Sequence, residues 1–113
     1  MSADYAAAIA THQLWVVDGE AGLAAVLELI PEEDHLLVEN IAVDPARQGS
    51  GLGRRLMAFA EAEARRQGFR EIRLYTNANF AENIAFYRRL GYRVTTQEPY
   101  KESIVVFMSK TLA

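Results

Sequence analysis

The segment Arg47-Gln48-Gly49-Ser50-Gly51-Leu52-Gly53-Arg54 places three glycines within five residues. It follows an apolar run, Leu36 to Val43, that ends at Asp44-Pro45, and it opens a stretch of helical periodicity reaching about Gln67. A chain that turns from strand to helix through so many glycines has bare backbone at the turn. Glycine admits positive φ and lets a ligand come close to the main chain. The unpaired N–H groups at the start of the following helix point outward and carry partial positive charge, which suits a phosphate. Arg47, Arg54 and Arg55 add positive charge around the turn. Two readings follow: a site for a phosphorylated ligand, or a tight turn whose glycines solve a packing problem.

Two familiar phosphate motifs are excluded. No Lys-Ser or Lys-Thr follows the glycines, as a P-loop requires. The dinucleotide fingerprint needs a glycine three residues after the second, where this chain has Arg54.

At 113 residues the chain is expected to be a single domain, residues 1–113, long enough to bury a core. Its net charge of −3 argues against a protein that coats nucleic acid, and its arginines lack interleaved aromatics. There is no cysteine, hence no disulfide, thiol nucleophile or cysteine metal site, and no metal is expected. No apolar run is long enough for a spanning helix, and residues 1–12 do not resemble a secretory signal. The expectation is a cytoplasmic protein without membrane or nucleic-acid partners.

Asp4 to Ala10 is alanine-rich and suits one or two helical turns. Leu14–Val17 and Gly22–Ile30 read as strands joined by a hairpin loop at Asp18-Gly19-Glu20-Ala21, with Trp15 as an apolar anchor. Leu36–Val43 is the third strand, and strict alternation puts Glu39 on one face with Leu37, Ile41 and Val43. Such a carboxylate stands at a sheet edge or faces a cleft. Leu52, Leu56, Met57, Phe59, Ala60 and Ala64 form the apolar stripe of the next helix, with Glu61 and Arg65 paired on its other side and Gly68 as its stop.

Ile72–Tyr75 alternates as a strand. Asn79 suits a helix cap with Glu82 reaching back, and Phe80, Ile84, Tyr87 and Leu90 share one face of the helix that Gly91 ends. Tyr92–Thr96 and Ser103–Ser109 close the chain as an antiparallel pair around a loop with Pro99-Tyr100-Lys101. This order predicts an α+β (α/β layered) fold, a mixed, twisted sheet with helices on its faces.

Two separated signatures resemble the GNAT superfamily of acyl-coenzyme A-dependent N-acetyltransferases, across about residues 13 to 110. Gln48-Gly49-Ser50-Gly51-Leu52-Gly53, preceded by Ile41-Ala42-Val43-Asp44-Pro45, is similar to the family's pyrophosphate loop and the strand before it. Asn83-Ile84-Ala85-Phe86-Tyr87-Arg88-Arg89-Leu90-Gly91-Tyr92 resembles its helix with an aromatic-Tyr pair followed by Leu-Gly-Phe/Tyr.

The resemblance implies acetyl-coenzyme A as co-substrate. The backbone N–H groups of Gln48, Gly49, Ser50, Gly51, Leu52, Gly53 and Arg54 would hold the pyrophosphate. The Ile41, Ala42 and Val43 strand end would pair with the pantetheine arm as an added strand. Asn83, with Asn79 nearby, would bond the pantetheine amides, and Tyr87 would protonate the departing thiolate. Glu39 is the candidate base for the amine, directly or through water. His12 and His35 fall outside both signatures and read as surface residues.

The resemblance has two departures. Only about a dozen residues precede Leu14, where family members carry a strand and two helices, and Phe80 stands where many carry an asparagine. The implied function is acetyl transfer to a primary amine, on a small molecule or a protein. The alternative is a coenzyme A-binding module without catalysis, acting as a regulatory or partner-assembled subunit. An open sheet face or edge leads to the expectation of a homodimer.

Overall fold

The computed structural model describes residues 12–19 and 22–113. The alanine-rich segment Asp4–Ala10 and the loop residues Glu20 and Ala21 lie outside them. Among the described residues six strands form one sheet: β1 (Gln13–Gly19), β2 (Gly22–Pro31), β3 (Leu36–Val43), β4 (Glu71–Asn77), β5 (Arg93–Tyr100) and β6 (Ser103–Thr111). Helix α1 (Leu52–Arg66) lies between β3 and β4 in the chain, and α2 (Ala81–Arg89) between β4 and β5. The spatial order is β1-β2-β3-β4-β6-β5. Every neighbouring pair is antiparallel except β3 and β4, which are parallel because α1 carries the chain back across the sheet.

Both helices join one buried cluster. Leu56, Met57, Ala60 and Ala64 of α1 and Tyr87 of α2 pack with Leu27, Leu29, Leu36, Val38, Ile72, Leu74, Val106 and Met108 of the sheet. Each fully buried aliphatic contributes about 1.5–3 kcal/mol relative to exposure. Trp15 packs against this core, its ring edge-on to Phe59 at 5.2 Å. On β1, Leu14 and Val16 are exposed.

Strict alternation fails in β3. Glu28 pairs with Asn40 and Leu29 with Val38, so Glu39 is an extra residue without a partner on β2. This bulge shifts the core-facing set from Leu36 and Val38 to Ile41 and Val43, which pack against the cluster. The grouping of Glu39 with Leu37, Ile41 and Val43 is therefore corrected: Leu37 and Ile41 lie on opposite sides of a phase change.

Three further expectations change. Helix α2 starts one residue later than a cap at Asn79 requires. Phe80 is the N-cap, without a side-chain cap bond, and is itself exposed. The turn before it is organised by Asn77, whose Oδ1 accepts from the Asn79 N–H at 2.8 Å and from Ser103 Oγ at 2.9 Å. Glu61 does not sit on the outer side of α1 with Arg65; it is buried. The pair on the exposed side is Glu63 with Arg66. Finally, β5 extends through Tyr100, so the last hairpin turns at Lys101-Glu102 instead of Pro99.

Candidate active site

The site arises where β3 and β4 part. Their parallel pairing consists of three rungs and ends at Val38 and Leu74. Past that point β4 stays paired with β6 as far as Asn77, while among the described residues the Ile41–Val43 end of β3 keeps only β2. The direction of the free edge follows from one peptide. The Asp44 N–H donates to the Ala24 carbonyl at 2.8 Å, across to β2. The Val43 carbonyl belongs to the same trans peptide and points the other way, where the Gln48 side-chain amide reaches it at 3.4 Å. Alternation places the N–H and C=O of Ile41 on that same open side.

The glycine turn closes one end of the opening. Asp44 starts a single 3₁₀ turn, Pro45–Arg47, with its carboxylate accepting from the Ala46 N–H at 3.0 Å. Gly49 and Gly51 then take φ of +86° and +85°, and a Cβ at either would meet nothing within 4 Å. Backbone conformation, not crowding, therefore demands glycine there, and the space above is open. The packing reading of these two glycines is excluded.

Within the turn, the N–H groups of Gln48 and Ser50 donate to the carbonyls of Pro45 and Arg47. The first bond of α1 runs from the Arg55 N–H to Gly51 O. Among the described residues, Leu52, Gly53 and Arg54 thus carry the unsatisfied N–H groups of the helix start.

A cavity of about 800 Å³ runs along this opening. It is lined by the free strand (Ile41, Ala42, Val43), the turn (Gln48, Gly49, Gly51, Gly53, Arg54) and α2 (Asn83, Tyr87). These are most of the residues that the sequence put forward. Four others take different positions. Ser50 Oγ donates to the Arg47 carbonyl, Leu52 packs against the core, and Asn79 belongs to the turn before α2. Glu39 lies outside the cavity lining, its Oε1 accepting from the Tyr75 hydroxyl at 2.8 Å.

The arginine ring around the turn is also redistributed. Arg54 lines the cavity, but the Arg47 guanidinium leans over Gly19, 3.1 Å from where a Cβ would stand. The opposite wall brings Arg89, which sequence reasoning did not single out, together with Glu82 and Phe86. The signal was present: residues 82, 86 and 89 repeat at the spacing that joins Asn83 to Tyr87.

Tyr87 is buried, with its ring edge-on to Phe86 at 5.2 Å and to Tyr92 at 6.0 Å. Burial pushes its phenol above the usual tyrosine range. Among the described residues no side chain hydrogen-bonds the Tyr87 hydroxyl, and Tyr87 lines the cavity.

A family model described as the acetyltransferase (GNAT) domain matches residues 10–94. The chain belongs to the GNAT family. It is 42% identical over 79 residues to the N-alpha-acetyltransferase 80 of Mus musculus, a match covering 70% of this chain and 23% of that protein. It is 34% identical over 79 residues to the [ribosomal protein bS18]-alanine N-acetyltransferase of Escherichia coli, covering 70% and 52%. The solved structure of nourseothricin acetyltransferase superposes with a TM-score of 0.84 at 27% identity, over 91% of this chain and 66% of that one. The chain spans about half or less of the length of the curated relatives it matches first.

Among the described residues of this GNAT domain, no cluster of three His, Asp or Glu side chains is arranged to hold a metal ion. No helix among them is long and apolar enough to cross a membrane.

Proposed function

We propose that this GNAT chain transfers an acetyl group from acetyl-coenzyme A to a primary amine by direct attack in a ternary complex. The observation that carries the reading is the continuous cavity from the glycine turn, along the free edge of β3, to Tyr87.

The residues fit the co-substrate's two kinds of chemistry. At one end, left-handed glycines, the open N–H groups of Leu52, Gly53 and Arg54, and the Arg54 guanidinium suit a pyrophosphate. Along the side, the main-chain groups of Ile41 and Val43 suit an arm that carries amides, with Asn83 on the opposite wall. Bound acetyl-coenzyme A supplies the thioester carbonyl that the amine attacks.

The chain's own part is positioning and proton transfer. Tyr87 stays protonated at neutral pH because burial disfavours its phenolate, so it can donate a proton to a departing sulfur. Glu39 is proposed as the base for the amine, working through water from its place beyond the last β3–β4 rung. The acceptor is proposed as a small amine or an exposed protein amine. The relatives' names include an alanine of ribosomal protein bS18 and nourseothricin, so protein and small-molecule amines both belong in the assay.

Isothermal titration with coenzyme A tests the site: micromolar binding is expected, and no binding at millimolar concentration sinks the reading. A thiol-release assay over an amine panel tests catalysis. One observation favours a second reading, a coenzyme A-binding module without turnover: Glu39 lies outside the cavity lining and one of its oxygens is held by Tyr75. Binding without thiol release on any acceptor selects the module. A homodimer is proposed as well, motivated by the exposed Leu14 and Val16 on the edge strand β1. Sedimentation showing only monomer at micromolar concentration contradicts it.

A further inference from the structure

The most buried acidic side chain of α1, Glu61, is 8% exposed, and it stands outside the cavity lining. Its two oxygens divide between two elements. Oε2 accepts from the Tyr92 hydroxyl at 3.0 Å, and Oε1 accepts from Lys110 Nζ on β6 at 2.9 Å. The Lys110 ammonium also lies 5.7 Å from the Tyr92 ring centroid. Its stem passes over Gly91, where a Cβ would come within 3.3 Å of Lys110 Cε at a φ of +99°. A side chain at residue 91 would thus meet both backbone strain and the lysine. The carboxylate is paired on both oxygens, so its burial leaves no orphaned charge.

Tyr92 leads from this cluster to the cavity. Its backbone N–H donates to the Tyr87 carbonyl at 3.0 Å, and its ring meets the Tyr87 ring edge-on at 6.0 Å. Tyr92 is therefore held at its hydroxyl by α1 and β6, and it holds Tyr87 by backbone and ring. A proton donor must sit within hydrogen-bond reach of its acceptor, and a misplacement of about 1 Å can cost about 10²-fold.

We infer that Glu61, with Lys110, is a positioning residue that acts through Tyr92 to hold the Tyr87 ring against the cavity. The inference rests on the acetyltransferase reading only for its kinetic consequence; the geometric link stands in the protein alone.

The test uses Tyr92→Phe, which removes one hydroxyl and keeps the ring, with Glu61→Gln beside it. Protein carrying 3-fluorotyrosine is observed by fluorine NMR, with the Tyr87 line assigned from Tyr87→Phe. The Tyr87 line is expected to shift or broaden in both variants without any ligand. In turnover, kcat is expected to fall about tenfold while the coenzyme A dissociation constant stays within about twofold. In a Tyr87→Phe background, Tyr92→Phe is expected to lower kcat no further, since coupled residues are not additive.

A Tyr87 line that stays put in folded Tyr92→Phe overturns the inference, as does a kcat loss that persists in the Tyr87→Phe background. If Glu61→Gln fails to fold, Tyr92→Phe alone decides. A wild-type protein that neither binds coenzyme A nor releases thiol removes the acetyltransferase reading, and the fluorine line still decides the link between Glu61 and Tyr87.

Discussion

The Tyr75 hydroxyl donates to Glu39 Oε1 at 2.8 Å, joining β4 to β3 at the first positions past their last parallel rung, Val38 with Leu74. A side-chain bond thus bridges the strands where their backbone ladder stops. The same Glu39 is the bulged residue of β3. Bulge, bridge and parting of the strands coincide, and beyond them the Ile41–Val43 edge has no strand partner but β2 among the described residues.

Tyr75 is expected to remain a donor across the whole assay range. Burial, reinforced by the bond to Glu39, pushes its phenol up to about 12. Ultraviolet titration of wild type against Tyr75→Phe should show no phenolate from this residue below about pH 11. In turnover, Glu39→Gln should lower kcat by about 10²-fold with coenzyme A binding unchanged. A Glu39→Gln enzyme at full speed removes Glu39 as the base.

The glycines of the turn should separate by conformation. Gly51→Ala forces a left-handed non-glycine residue, at about 1–2 kcal/mol, and should weaken coenzyme A binding more than tenfold by disturbing the turn. Gly53→Ala is helical, and its Cβ meets only Phe86 Cζ at 3.6 Å, so it should melt no lower than wild type. Thermal melts and calorimetric titrations of the two variants check this contrast.

Tyr87→Phe deletes the proposed proton donor and keeps the buried ring packing on Phe86 and Tyr92. The melting temperature and coenzyme A affinity should hold, while kcat falls about 10²-fold. Equal losses in affinity and kcat would point to a binding role.

Acid should weaken the fold through Glu71. Hydrogen bonds from Arg73 and then Ser109 hold its carboxyl down at about 2, against an ordinary 4.5. The unfolded chain takes the proton more readily, so this stabilisation is fully present above about pH 4.5 and is lost as pH falls toward 2. With partial solvent screening it amounts to about 1 kcal/mol. Urea unfolding between pH 6 and pH 2.5 should show the loss, and Glu71→Gln should flatten that part of the curve. An unchanged slope in the variant would assign the acid effect elsewhere.

Local chemistry carried much of this protein on its own. The strand Leu36–Val43 and the helix that follows the glycines were legible because alternation, helical spacing and punctuating glycines act within a few residues. The turn from Gln48 to Arg54 was legible as a glycine-bared turn from strand to helix for the same reason, and spacing alone put Asn83 and Tyr87 on one helix face, where both line the cavity. What the tertiary structure decided involves partners far apart in the chain. The bulge at Glu39 exists only in register with β2, and it separated that carboxylate from Ile41 and Val43, with which alternation had grouped it. Arg47 turned toward Gly19 while Arg89 entered the cavity, because the arrangement of β1, β2 and α2 around the turn is not written in the turn. Glu61 looked like half of a surface pair with Arg65. It became a buried junction because Tyr92 and Lys110, 31 and 49 residues away, arrive to satisfy both its oxygens.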